Sequence, residues 1–212
     1  HQGNLDRTLA NANGEAVGFG FKTSKFTMEK SGYFFLNTHP DRAGEATEWY
    51  DPVPDKAYGR SRIAAWGLLK EKESGKRFLY ITTHLELNKG MRAGSAKLLV
   101  EKARELAPEG VPVFLCGDLN TAPSEVTCAG VLSAYFTDAY TEAVRLSLPR
   151  EGGQTTYNSF NANVGKETAS KRIDYMFYYG DSVVLKKYGV IYDTVNGVLP
   201  SDHYPVSATI EL

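Results

Sequence analysis

The apolar residues of this chain come in short runs, and four of those runs have a cluster of polar, chemically capable side chains at one end, two closing on it and two opening from it. Runs at 17–21, 33–36, 63–69, 78–83, 111–116, 173–179, 183–191 and 204–210 are rich in aromatic and β-branched residues, which predicts strands. The last alternates cleanly. Tyr204, Val206, Ala208 and Ile210 share one face and Pro205, Ser207 and Thr209 the other, as suits a sheet packed on one side. Two segments read as helices. Residues 91–106 carry Ala96, Leu99, Ala103 and Leu106 on one stripe and stop before Pro108 and Gly110. Residues 124–132 start at Pro123-Ser124-Glu125, although Thr127 and Gly130 weaken the pattern. Many strands with few helices predict an α/β fold of sheet packed on sheet, not a doubly wound parallel sheet. At 212 residues, with no repeat or linker, the chain is expected to be a single domain over 1–212.

The polar clusters are Thr83-His84, Gly117-Asp118-Leu119-Asn120, Arg172-Ile173-Asp174 and Ser201-Asp202-His203. Burying such groups without partners costs several kcal/mol each, of order 2–7 for a neutral one. Their recurrence at strand ends therefore predicts one polar site assembled from distant parts of the chain. Along an extended chain Asp118 and Asn120 fall on one side, where a carboxylate beside a carboxamide can hold a water and bind a phosphoryl oxygen. Gly, Asp and Asn are also turn formers, and a plain turn is the competing reading there. Ser201-Asp202-His203 reads equally as a turn with an exposed His. Asp174, however, needs a partner, and an imidazole N–H is a common one. Such a pair makes the second ring nitrogen a general base. Arg62 could bind phosphate or form a salt bridge, and Glu86 could join the site or lie in solvent.

Composition narrows the classes. With 42% hydrophobic and 23% charged residues the chain is globular, and a net charge of −1 gives no overall pull towards nucleic acid or an anionic membrane. No run approaches a membrane span. The start shows neither a signal peptide nor an initiator Met, so localisation stays open. Cys116 and Cys128 fit neither a disulfide framework nor a zinc site. A buried free thiol is the better reading for Cys116, with a bridge to Cys128 as the alternative.

Taken in order, Gly14-Glu15, Arg62 with Trp66, Thr83-His84, Gly117-Asp118-Leu119-Asn120, Arg172-Ile173-Asp174-Tyr175 and Ser201-Asp202-His203 resemble the endonuclease/exonuclease/phosphatase superfamily. The resemblance covers nearly the whole chain. It implies a four-layer α/β/β/α sandwich, two packed mixed sheets flanked by helices, and Mg²⁺-dependent hydrolysis of phosphate esters by in-line attack of water, with Mn²⁺ as an alternative ion. It also implies roles. His203 would be the general base oriented by Asp174, and His84 would bind the scissile phosphate, held by Glu15. Asp118 would position or deprotonate the water, Asn120 and Arg62 would contact phosphate, and Asp202 would lie at the metal. The substrate would be nucleic acid, a phospholipid headgroup or an inositol phosphate, and the protein a monomer. On the family pattern, a strand with an Asn and a second with the main metal-binding Glu precede Gly14-Glu15. The expectation is that the N-terminal strands are missing from this sequence, as in a fragment. A shortened relative that only binds a phosphate ligand is the rival reading.

Overall fold

Even and odd positions along three neighbouring strands bury against different partners, and that alternation organises the fold. The computed structural model describes residues 16–43, 47–50 and 62–212. Its strands are β1 (Phe26–Leu36), β2 (Arg62–Glu71), β3 (Arg77–His84), β4 (Val113–Asp118), β5 (Thr137–Asp138), β6 (Arg150–Glu151), β7 (Asp174–Tyr179), β8 (Val184–Val190) and β9 (Val206–Glu211). The helices are α1 (Lys89–Leu106), α2 (Val131–Ser133) and α3 (Ala139–Arg145). Six strands form one mixed sheet in the order β1-β2-β3-β4-β7-β5, with only β3 and β4 parallel. The other three form a second mixed sheet, β6-β8-β9.

Leu79 and Ile81 of β3, Val113 and Leu115 of β4, and Tyr175 and Phe177 of β7 pack with Ala96, Leu99 and Ala103 of α1. Phe78, Tyr80, Phe114, Met176 and Tyr178, one step along, pack instead with Leu185, Tyr188 and Val190 of the second sheet. Period-two alternation thus makes the central strands apolar on both faces, because one face meets a helix and the other a sheet. The result is the expected mixed α/β arrangement of two packed sheets with helices.

The predicted helix over 91–106 forms as α1, started two residues earlier by Asn88, whose side-chain oxygen accepts the Met91 N–H at 3.2 Å. The helix expected over 124–132 is broken in two. Residues Val126–Gly130 form a π-helical turn, and α2 follows for three residues. The strand expected at 17–21 is absent. Val17 is buried against Phe35, Ile63 and Ala65, and Phe19 packs on Tyr80, so this apolar run fills the core without joining a ladder. Both cysteines are free. Burial pushes the Cys116 thiol up to about 11 and the Cys128 thiol to about 12, so both stay protonated and inert.

Candidate active site

His84, Asp118 and Asp174 occupy one rung across three adjacent strands. His84 pairs with Asp118 between parallel β3 and β4, and Asp118 with Asp174 between antiparallel β4 and β7. His203 completes the group from the segment before β9, where it forms a β-bridge with Tyr157. Three polar clusters on strands and one on a loop therefore meet at one place, as the sequence predicted.

The distances define the chemistry. His203 Nδ1 lies 2.7 Å from Asp174 Oδ2, and its Nε2 lies 3.9 Å from Asp118 Oδ2. His84 Nε2 is 3.4 Å from the same Asp118 oxygen. The other oxygen of Asp118 accepts the Asn120 N–H at 2.8 Å, so Gly117–Asn120 is a side-chain-closed turn. The turn expected there is present, and it leaves the second oxygen facing the other polar groups. One carboxylate oxygen shapes the backbone, and the other faces two imidazoles. Asn120 adopts φ 49° and spends one amide hydrogen on the Leu85 carbonyl at 2.8 Å, which ties the end of β4 to that of β3. At Ser201-Asp202-His203 a turn is again present, with Ser201 Oγ accepting the His203 N–H at 3.1 Å. The imidazole itself is turned inward.

Each ionisable group feels its neighbours. The hydrogen bond to Asp174, more than any other influence, holds His203 above the ordinary imidazole range, although burial opposes it. Burial lowers the affinity of His84 for a proton, opposed by the Asp118 charge and assisted by Arg62. Asp118 is pushed up by burial first and the Asp174 carboxylate second, against the Asn120 N–H. Two carboxylates directly opposed on neighbouring strands repel one another, so nothing about strand pairing favours this placement.

That surplus of negative charge fits a divalent cation. Asp118, Asp174 and His203 each offer a ligand atom, all within 4.8 Å of one another. Mg²⁺ prefers a few carboxylate oxygens completed by water and phosphate, and the two aspartates supply the charge it requires. Asp202, the ligand expected from the sequence, is outside this group. Its side chain meets Ser201 Oγ at 3.5 Å, and its backbone carbonyl accepts from Asn158 and Ser159.

The remaining expected residues divide. Arg62 forms a largely buried salt bridge with Glu86, Nε to Oε2 at 3.1 Å, so both sit beside the His84 strand end. Arg172 turns away. It is buried, pairs with Asp138 at 2.8 Å, and lies over the rings of Tyr140 and Tyr175. Glu15 lies outside the described residues, so its pairing with His84 does too. One contact comes from a stretch that carries none of the expected residues: Tyr157 packs against the His203 ring, centroids 5.0 Å apart. No sequence motif marks this stretch, because most of its hydrogen-bond partners near the site are main-chain groups.

With this geometry in view, comparison with known proteins identifies the class. The sequence profile of the Endonuclease/Exonuclease/phosphatase family matches residues 4–203, and the chain belongs to that family. Its members are hydrolytic enzymes acting on phosphate esters. Among solved structures, a mannosyl-6-phosphatase from Bacteroides thetaiotaomicron is similar at 29% identity and a TM-score of 0.75, over 91% of this chain and 69% of that one. An endonuclease/exonuclease/phosphatase from Bacteroides vulgatus is 28% identical, with a TM-score of 0.73, over 91% of this chain and 68% of that one. D. rerio TDP2, solved with a single-strand DNA product, shares the fold at 21% identity and a TM-score of 0.62, over 89% and 70% of the respective chains. No curated protein sequence matched the chain.

Proposed function

We propose that this protein is a Mg²⁺-dependent hydrolase of phosphate esters that activates water for in-line attack through His203. The supporting observation is the Asp174–His203 pair at 2.7 Å, whose second ring nitrogen lies 3.9 Å from Asp118 Oδ2. A water about 2.8 Å from each atom would bridge that span. Asp174 keeps the proton on Nδ1, so Nε2 is free to take one from the water. Asp174 then stabilises the imidazolium that results. Asp118 accepts the water's other hydrogen and aims its lone pair at phosphorus. His84, kept neutral by burial, offers a ring N–H to a phosphate oxygen, and Asn120 has an amide hydrogen left for another. Arg62 supplies positive charge beside them. Asp118 and Asp174 would hold the cation, with Asp202 next to His203 in sequence; when bound, the ion neutralises charge on the phosphate oxygens.

The likeness to a mannosyl-6-phosphatase makes sugar phosphates the first substrates to test, and a net charge of −1 argues against long polyanions. The experiment measures hydrolysis of bis-p-nitrophenyl phosphate, p-nitrophenyl phosphate and a hexose 6-phosphate with Mg²⁺ and with EDTA. Turnover should require the ion, and His203→Ala should reduce it on the order of 10³-fold or more. An unchanged rate in His203→Ala rejects the assignment. Phosphate binding without Mg²⁺ and without turnover would identify a binding module.

A further inference from the structure

Thr156 and Asn158 are both completely buried, and neither touches the reacting groups. Their polar atoms face the two halves of the Asp174–His203 pair. Thr156 Oγ1 accepts the N–H groups of Ile173 and Asp174, each at 3.0 Å, and donates to the Lys171 carbonyl at 3.3 Å. A threonine hydroxyl has one donor and two acceptor positions, so this one is saturated by the segment that opens β7. The Thr156 carbonyl accepts the Tyr204 N–H at 2.7 Å, next to His203. One residue therefore links the backbone of Asp174 to that of the His203 loop.

Asn158 completes the strap. Its N–H donates to the Asp202 carbonyl at 2.8 Å and its Nδ2 to the Ser201 carbonyl at 3.2 Å. Its Oδ1 accepts the Phe160 N–H at 2.7 Å. The turn that follows holds Ser159 at φ 55° and Phe160 at φ 57°, two successive left-handed residues that are not glycine. Such conformations persist only where the surroundings over-determine them, and they cluster at functional sites. Tyr157, between the two anchors, bridges His203 and packs against its ring.

We propose that Thr156 and Asn158 are positioning residues, which hold Asp174 and His203 at hydrogen-bond distance from opposite sheets. Asp174 belongs to the six-stranded sheet, whereas His203 precedes a strand of the three-stranded one. The strap is hydrogen-bonded to both, so the separation within the pair is fixed by the strap and not by the packing of sheet on sheet alone. The catalytic consequence rests on the general-base reading above; the geometric claim does not.

The test is Thr156→Val, which keeps the shape and removes the hydroxyl, with Thr156→Ser as the conservative control. Proton NMR of the metal-free protein should show a strongly downfield His203 Nδ1–H signal that Thr156→Val weakens or loses and Thr156→Ser retains. In turnover, Thr156→Val should lower kcat on the order of 10²-fold with little change in KM, the scale of a 1 Å misplacement. In an Asp174→Asn background the same change should cost almost nothing further. If Thr156→Val does not fold, Asn158→Ser, which breaks the tie to Ser201 while still serving the Phe160 N–H, should show the same loss of signal and kcat. A lower melting temperature with the NMR signal and kcat intact in these variants overturns the proposal. A protein with no turnover but with the signal lost in Thr156→Val defeats the enzyme reading alone.

Discussion

At His203 the decisive quantity is the proton affinity of one ring, which two opposing effects set. Burial favours the neutral form, and the hydrogen bond to Asp174 favours the charged one and prevails. The folded-state value is therefore raised above the unfolded one, near 6.5. The stability contributed by the charged pair is fully present below that ordinary value and is lost as pH rises through the raised one. On the general-base proposal, the form that accepts a proton from water predominates only above the raised value. Titration of His203 by NMR in metal-free protein should give a midpoint above the ordinary range, and Asp174→Asn should lower it, since burial then works against only the lesser pull of the Asp118 and Asp202 charges. A midpoint indifferent to Asp174→Asn would mean that the proton affinity has another source. Residue by residue, the sequence was a good guide to which groups meet, because each sits at the end of an apolar run. It could not tell turn from site at Asp118, since both descriptions apply to different oxygens of the same carboxylate. Nor could it reveal Thr156, whose hydroxyl bonds main-chain groups of a segment distant in sequence and so leaves no motif.

Between elements, the tightest constraint is the approach of β4 to β3 at Gly117. Its φ of 144° lies where side chains are disfavoured, and an added Cβ would sit 1.9 Å from the Thr83 carbonyl oxygen. That oxygen is backbone and cannot move without shifting His84, which pairs with Asp118 in the next rung. Gly117→Ala should therefore destabilise the protein by about 3 kcal/mol or more, through φ strain together with the steric overlap. Urea unfolding checks this, and an unaltered midpoint would show that the two strands have slack that the geometry denies. The same comparison explains which elements could be read in advance. Runs 63–69, 78–83 and 173–179 are apolar almost throughout and became strands of the six-stranded sheet, and 183–191, apolar at both ends, became β8. The first half of β1 was missed, because Thr27, Glu29, Lys30 and Ser31 lie on an edge strand where polar residues cost little. Helix α3 was missed because its seven residues bury only Ala139 and Ala143, too small a stripe to register as periodicity.

For the molecule as a whole, fold and function compete over one pair of side chains. Two packed sheets were foreseeable from the number and shortness of the strands, and the polar rung at their ends from the clusters. The energetic conflict was not, since it depends on Asp118 facing Asp174 across β4 and β7. Burial and the Asp174 charge together raise the Asp118 proton affinity, so the ionised carboxylate costs stability at neutral pH. That cost should disappear in Asp118→Asn, which keeps an oxygen for the Asn120 N–H. With EDTA present, this variant should melt above the wild type. Added Mg²⁺ should reverse the order. An ion that binds only the folded state stabilises by mass action, about 2.7 kcal/mol at a hundredfold excess over its Kd, or roughly 5–10 °C here. The wild type should gain this and Asp118→Asn should gain little, so the two melting curves exchange places as the ion is added. Equal gains in both proteins would place the ion away from Asp118. No gain in either would leave the opposed carboxylates without the cation that makes sense of them.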